Sequence, residues 1–172
     1  MVIAGERSGV GKSTITVGIL LALKERGLDP QPFKSGPDFL DPMHHSVLLD
    51  RRSRNLDTWM FPDAVPELFA RASEGAGISV IEGVMGLYDG YDGRSEEGST
   101  AHLSKVLKAP VILVLDASAS ARSVGAVALG FQQYDPDADV RAVIFNNVGG
   151  KRHLDMLRDS LRGIDCLGGI PK

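Results

Sequence analysis

One cysteine, Cys166, stands among 172 residues. That scarcity excludes an intramolecular disulfide framework and any cysteine-based zinc cluster, and it fits a reduced, intracellular setting. Positive charge is not in excess either: the formal net charge is −3. No global field exists to collect nucleic acid or an acidic membrane surface. No stretch approaches ~18 uninterrupted apolar residues, and the N-terminus MVIAGERSGVGKS lacks a basic segment followed by a long apolar one. Internal repeats and low-complexity tracts are missing too. These absences predict a cytoplasmic protein with neither nucleic acid nor membrane as its partner. What is plentiful is glycine, 20 of 172 residues against an average of roughly 7%, without the G-X-Y period of collagen. With 43% apolar and 24% charged residues, the chain is globular in composition and long enough for one ordinary domain.

Short β-like runs alternate with helical patterns. Strands are expected at Met1 to Ala4, Gln31 to Lys34, Ile78 to Glu82, the run PVILVLDAS, Val140 to Phe145 and near Cys166. Helices are expected at Lys12 to Arg26, Asp63 to Ala72, Thr100 to Leu107 with Ser99 as its cap, Ser120 to Gln133 and Lys151 to Arg162. This alternation predicts an α/β domain with a mostly parallel sheet, whose ligands bind beyond the C-terminal strand ends. Residues 35 to 62 and 83 to 99 read as long connections on that edge. The chain ends in GIDCLGGIPK, a strand-like segment entering a turn, and reads as a piece of something longer.

The first strand runs into Gly5-Glu-Arg-Ser-Gly9-Val10-Gly11-Lys12-Ser13-Thr14 and then into a helix. Glycines let backbone N–H groups curl around a phosphate, and the helix N-terminus adds partial positive charge. Lys12 reaches the β/γ-phosphates and Ser13 holds Mg2+. A glycine-rich turn before a core helix is the bland alternative. The first glycine stands six positions before Gly11 where the strict pattern wants five, a departure shared with dethiobiotin synthetase and cobyrinic acid diamide synthase. Arg7 occupies the place of a second, signature lysine in partition-type ATPases.

A second motif is Lys34-Ser-Gly-Pro-Asp38-Phe-Leu-Asp41-Pro42. Its two carboxylates suit Mg2+ or a cation near the γ-phosphate, or else form a solvated acidic turn. A third is Glu82-Gly-Val-Met-Gly-Leu-Tyr-Asp89-Gly. Glu82 closes an apolar strand, where an unpaired carboxylate is expensive; a metal ion, or an ion pair with Lys34 or Lys12, would compensate it. Asp89 is a ligand-loop carboxylate or a turn-former before Gly90.

Together GERSGVGKST, FKSGPDFLDP, SRNLDTWM and EGVMGLYDG resemble, in order and spacing, the cobyrinic or hydrogenobyrinic acid a,c-diamide synthase family, which includes a nickel-sirohydrochlorin relative. The resemblance covers the whole chain, through PVILVLDAS and IFNNVGGKRH. It implies a three-layer αβα domain of the P-loop NTPase type, dethiobiotin synthetase-like, over residues 1–172, with ATP and Mg2+ as cofactors. It also implies phosphorylation of a tetrapyrrole acetate and attack on the acyl phosphate by ammonia. The ammonia would come from a C-terminal glutaminase domain outside this chain. A homodimer is a further implied partner.

By carry-over, Gly9, Val10, Gly11, Lys12, Ser13 and Thr14 bind the nucleotide, and Ser13, Glu82 and Asp38 organise Mg2+. Lys34 acts near the γ-phosphate; Asp38, Asp41 and Asp89 line the place where carboxylate meets ammonia. Asn146 hydrogen-bonds adenine, unless it is an ordinary turn residue. Arg51, Arg52 and Arg54 read as a contact for the macrocycle's carboxylates or a solvated basic face. Trp59 and Tyr91 stack on the ring or pack beneath a loop. His44 and His45 have the right chemistry for zinc but the wrong spacing for a helix. Cys166 has no histidine after it, against a glutaminase role. A dethiobiotin synthetase-like ligase and a partition-type regulatory ATPase are the competing readings.

Overall fold

The computed structural model describes residues 1–172. Seven strands form one sheet: β1 (Val2–Gly5), β2 (Pro30–Ser35), β3 (Arg54–Leu56), β4 (Ile78–Glu82), β5 (Val111–Asp116), β6 (Val140–Val148) and β7 (Asp165–Pro171). Their order is β3-β2-β4-β1-β5-β6-β7, with every neighbouring pair parallel. The helices are α1 (Lys12–Glu25), α2 (Leu40–Leu49), α3 (Val65–Ser73), α4 (Thr100–Val106), α5 (Ser123–Tyr134) and α6 (Lys151–Ser160). None is long and apolar enough to cross a membrane.

The apolar runs are continuous because the central strands are covered on both faces, and side-chain alternation divides them into two cores. Val2, Ala4, Ile81, Leu113, Leu115, Val143 and Phe145 pack on one face with Val65 of α3, Leu103 of α4, Val124 and Ala128 of α5 and Leu157 of α6. Ile3, Val80, Val114 and Ile144 pack on the other with Ile15 and Leu20 of α1 and Leu49 of α2. Each fully buried Val, Leu, Ile or Phe among them contributes about 1.5–3 kcal/mol. The three αβα layers are thereby rigid where β1, β2 and β4 end together.

Residues 35 to 62 depart from the expected long connection: they contain α2 and the edge strand β3. The buried positions of α2 are Pro42, His45 and Leu49, while Leu40, Met43, Val47 and Leu48 face outward. A proline and a histidine in the buried stripe hide the apolar periodicity. Pro42 is tolerated because it lies in the first turn, where its missing N–H has no partner to lose. β3 is three residues long and pairs only with Phe33 to Ser35. Pro30 and Pro32 of β2 therefore lie before that pairing begins, consistent with proline's missing ladder donor.

The last strand also differs from expectation. It does not turn after Cys166 but runs along β6 to Pro171, with irregular register around Gly168 at φ 153°. β6 likewise continues through Asn146 and Asn147. The connection of residues 83 to 99 carries no helix or strand. It ends at Ser99, whose hydroxyl accepts the His102 N–H at 3.0 Å and caps α4 as expected.

Candidate functional site

Strand order reverses at β1, which lies between β4 and β5. That switch point opens a crevice beyond the strand ends, and the glycine-rich loop fills its floor. Gly9 and Gly11 have φ of 77° and 96°, values that glycine alone adopts at little cost. At Gly11 a Cβ would collide with the Asn146 amide. The loop delivers Lys12 and Ser13 at the first turn of α1, where backbone N–H groups lack helical partners.

A cavity of about 360 Å³ lies against this turn. It brings together Gly9, Gly11, Lys12, Ser13, Thr14, Lys34 and Glu82, with Ser8 and Gly83, Val84 and Met85 completing its wall. Val10 is buried beneath the loop instead. Lys12 Nζ donates to the carbonyls of Arg7 at 3.2 Å and Met85 at 2.6 Å. Burial, followed by repulsion from Lys34, lowers its pKa. An ammonium held only by neutral carbonyls in this way is under-compensated and ready for anionic oxygens.

The opposite wall is a buried charge network. Glu82 is completely buried at the end of β4. Ser13 Oγ donates to its Oε1 at 2.6 Å, and Lys34 Nζ reaches the same oxygen at 2.9 Å. His45 Nε2 lies 2.9 Å from Oε2, although the ring N–H is not aligned along that contact. Lys34 also meets Asp41 at 2.6 Å and Asp38 at 3.9 Å. Burial works against ionisation of Glu82, but His45, Ser13 and Lys34 outweigh it and hold the pKa down at about 2. Burial opposes Lys34's charge as well; Asp41 and Glu82 overcome it and raise its pKa. Of the two compensations expected for Glu82, the ion pair with Lys34 is thus present.

Asp38 accepts the Leu40 N–H at 2.9 Å at the start of α2. Asp38 and Asp41 approach the network through Lys34 without lining the cavity. Asp89 does not line it either: its carboxylate accepts the Gly86 N–H at 2.8 Å and faces a neighbouring depression with Asp92 and Glu96. Asn146 sits at the end of β6 and donates to the Val10 carbonyl at 2.8 Å, tying that strand to the phosphate loop. Arg51 is engaged structurally by Asp29 and Gln31, whereas Arg54 is exposed on β3.

His45 and Asp116 escaped the reading of the sequence as site residues. Asp116 ends β5 as Glu82 ends β4, a carboxylate closing an apolar strand, so the same signal was available. It accepts from Asn147 at 2.9 Å and pairs with Arg7 at 2.8 Å. Those contacts, with the Ser118 N–H, bring its pKa down to about 2. His45 is buried to 1% exposure on α2; its only signal was a histidine shortly after the acidic motif.

For a divalent cation the chain offers Ser13 Oγ and Glu82 in mutual contact at the cavity wall. No group of three or more His, Cys, Asp or Glu side chains is arranged around a common point. The residues therefore fit a hard cation completed by phosphate oxygens and water, as Mg2+ is usually held, and not an all-protein cage.

Comparison with known proteins agrees with this geometry. The family described as CobQ/CobB/MinD/ParA nucleotide binding domain matches residues 1–172. Among curated relatives, cobyrinate a,c-diamide synthase of Priestia megaterium is 46% identical over 94% of this chain and 35% of that protein. Hydrogenobyrinate a,c-diamide synthase of Streptomyces coelicolor is 45% identical over 98% of this chain and 35% of its own length. The chain thus spans about a third of the length of these relatives.

Solved structures share the fold alone. The signal recognition particle receptor FtsY from Elizabethkingia anophelis superposes with TM-score 0.68 at 17% identity, covering 96% of this chain and 56% of that one. HypB from Helicobacter pylori, in complex with nickel, superposes with TM-score 0.60 at 13% identity, covering 98% and 77%. With the glycine loop, Lys12 and the switch-point cavity in place, the chain belongs to the CobQ/CobB/MinD/ParA nucleotide binding domain family.

Proposed function

We propose that this chain is the ATP-binding synthetase domain of an amidoligase that converts the a- and c-acetate carboxylates of a corrinoid or related tetrapyrrole into amides. The observation that carries this reading is the convergence on one cavity of Lys12 and the Lys34–Glu82 pair, with Asp41 behind Lys34. A nucleotide switch needs the first group; a carboxylate-activating enzyme also uses the second. The relatives named as a,c-diamide synthases, at 44–46% identity across most of the chain, support the substrate class.

In the first step an acetate oxygen of the substrate forms a bond to the γ-phosphorus of ATP as the bond to the β-phosphate oxygen breaks and ADP leaves. Lys12 and the N–H groups around Gly9 to Gly11 neutralise the phosphates; Thr14 continues that turn. Positioning and charge supply most of such catalysis. Ser13 and Glu82 would hold Mg2+, which when bound draws charge from the phosphoryl oxygens. Lys34 presents a cation at the wall opposite Lys12, where two negatively charged reactants must approach. In the second step ammonia bonds to the acyl carbon, phosphate leaves, and the nitrogen's surplus proton passes to a carboxylate on this wall, Asp41 or Asp38. Asp89 positions the loop through Gly86. The Asn146 side-chain oxygen would accept the adenine amino N–H while its NH2 group stays on the Val10 carbonyl.

Ammonia would come from glutamine through a glutaminase domain lying in the part of the relatives that this chain does not span, with a homodimer as the assembled form. The test supplies this chain with Mg2+-ATP, a metal-free or cobalt macrocycle, and either free ammonia or glutamine. Mass spectrometry should find one and two amidations with ammonia and none with glutamine. Amidation supported by glutamine would contradict the division of labour, and none with ammonia would contradict the synthetase reading.

A further inference from the structure

Trp59 and Tyr91 come from the two long connections and stack on each other, with ring centroids 5.1 Å apart and planes inclined by 17°. They remain 53% and 67% exposed, side by side with the half-exposed Met85. Together with Pro37, Val84 and Gly98 they border a depression of about 150 Å³. Val84 and Met85 also form the wall of the Lys12 cavity, and the Met85 carbonyl is the one that holds Lys12. The aromatic surface and the phosphate site are therefore continuous.

This surface is built in advance. Asp57 Oδ1 accepts the N–H groups of both Trp59 and Met60 at 2.9 Å, fixing the turn that presents the indole. Gly98, at φ 75°, lies against that indole: a Cβ there would stand 3.4 Å from Trp59 Cβ. Tyr91 N–H donates to the Glu97 carbonyl at 2.8 Å, pinning the second ring. Asp57 is the one charged residue at its border; its Oδ1 is taken by those backbone donors and Oδ2 stays at the rim. What remains for a ligand is a flat, largely apolar face with a single carboxylate at its rim. Such a face suits a broad planar apolar body and offers no positive charge to a phosphate.

We infer that the Trp59–Tyr91 pair is a shelf for the face of the tetrapyrrole ring, with Val84 and Met85 as the lip over which a rim acetate reaches the cavity. This inference rests on the amidation reading. Because the two rings stack on each other, the ligand lies on the outside of the pair and not between them. The ring gains dispersion and apolar burial without ordering the protein, so affinity is not lost to loop closure. The shelf holds the ring body, and the chemistry stays with Lys12, Lys34 and the Glu82 network.

Trp59 is the single tryptophan of the chain, so one indole N–H resonance reports on the shelf. The probe is hydrogenobyrinate, metal-free, added to the 15N-labelled chain with Mg2+ and a non-hydrolysable ATP analogue. The indole resonance should shift on titration. Trp59→Ala and Tyr91→Ala should weaken macrocycle binding by about tenfold or more, the scale of a lost stacking partner. Tyr91→Phe should retain it, and Tyr134→Ala, an exposed aromatic outside the depression, should leave it unchanged. Nucleotide affinity should stay within about twofold in all four variants. An unmoved indole resonance, or alanine variants that bind the macrocycle as wild type does, overturns the shelf and leaves the amidation reading standing. A wild-type chain that binds the nucleotide but no macrocycle overturns the amidation reading, and the shelf falls with it.

Discussion

Replacing Glu82 by Gln tests how the buried charge network is balanced. Glu82 is fully buried and is contacted by Ser13, Lys34 and His45, all within 2.9 Å. Its pKa is held at about 2 against an ordinary value of 4.5, a difference worth ~3 kcal/mol of folding stability. The folded-state pKa is depressed, so this contribution is fully present above about pH 4.5 and is lost as pH falls toward 2. Glu82→Gln should therefore be less stable than wild type by ~3 kcal/mol at pH 7. About 2 kcal/mol of that gap should be gone by pH 3, because Glu82 takes up a proton in the unfolded wild-type chain while the folded one stays largely ionised, and the variant has nothing there to protonate.

Lys34→Met should cost about 3–5 kcal/mol at pH 7, since it leaves Glu82 and Asp41 without their shared cation. The double variant should cost clearly less than the two single losses together. Urea unfolding followed by circular dichroism from pH 3 to 7 measures all three. A wild-type-to-Glu82→Gln gap that stays constant with pH, or strict additivity in the double variant, would refute the network.

Four other outcomes follow from the same geometry. Lys12→Ala should lower ATP turnover by roughly 10²–10³-fold without lowering the melting temperature, because Lys12 Nζ meets only backbone carbonyls and its charge is disfavoured by burial; a large drop in melting temperature would show instead a structural lysine. Gly11→Ala should sharply weaken nucleotide binding, measured with a fluorescent ATP analogue, since a φ of 96° strains any residue with a Cβ and that Cβ would push the Asn146 amide off the loop. Asp41→Asn should slow ammonia-dependent amidation while sparing nucleotide affinity, whereas Asp89→Ala should cost about 1 kcal/mol of stability by releasing the Gly86 N–H. Steady-state kinetics and thermal melts separate the two, and equal behaviour of both variants would contradict their different placement.

The sheet was legible because its strands are written as unbroken apolar runs: Val111 to Leu115 and Ala142 to Phe145 announce coverage on both faces. The phosphate loop was legible because glycine, lysine and serine at that spacing have few other uses. Less was visible where burial and polarity conflict. The buried face of α2 is Pro42, His45 and Leu49 while its larger apolar residues face out, so no helical period shows. Its polar buried residue exists for Glu82, a partner 37 positions away in the chain. Sequence spacing ties Asp38 to Asp41 but says nothing of which one meets Lys34, and the fold gives the close contact to Asp41. Asp89 stood in a loop rich in glycine, where a carboxylate serves a ligand or its own turn equally well; its bond to Gly86 is a contact that only the folded loop defines.

Activation of a carboxylate as an acyl phosphate in the cavity between Lys12 and Lys34 leaves an isotopic trace. The substrate for that experiment is hydrogenobyrinate labelled with 18O in its carboxylates, incubated with this chain, Mg2+-ATP and free ammonia. Each amide formed should release ADP and inorganic phosphate carrying one 18O from the carboxylate. Unlabelled phosphate, or AMP and pyrophosphate as products, would contradict the account.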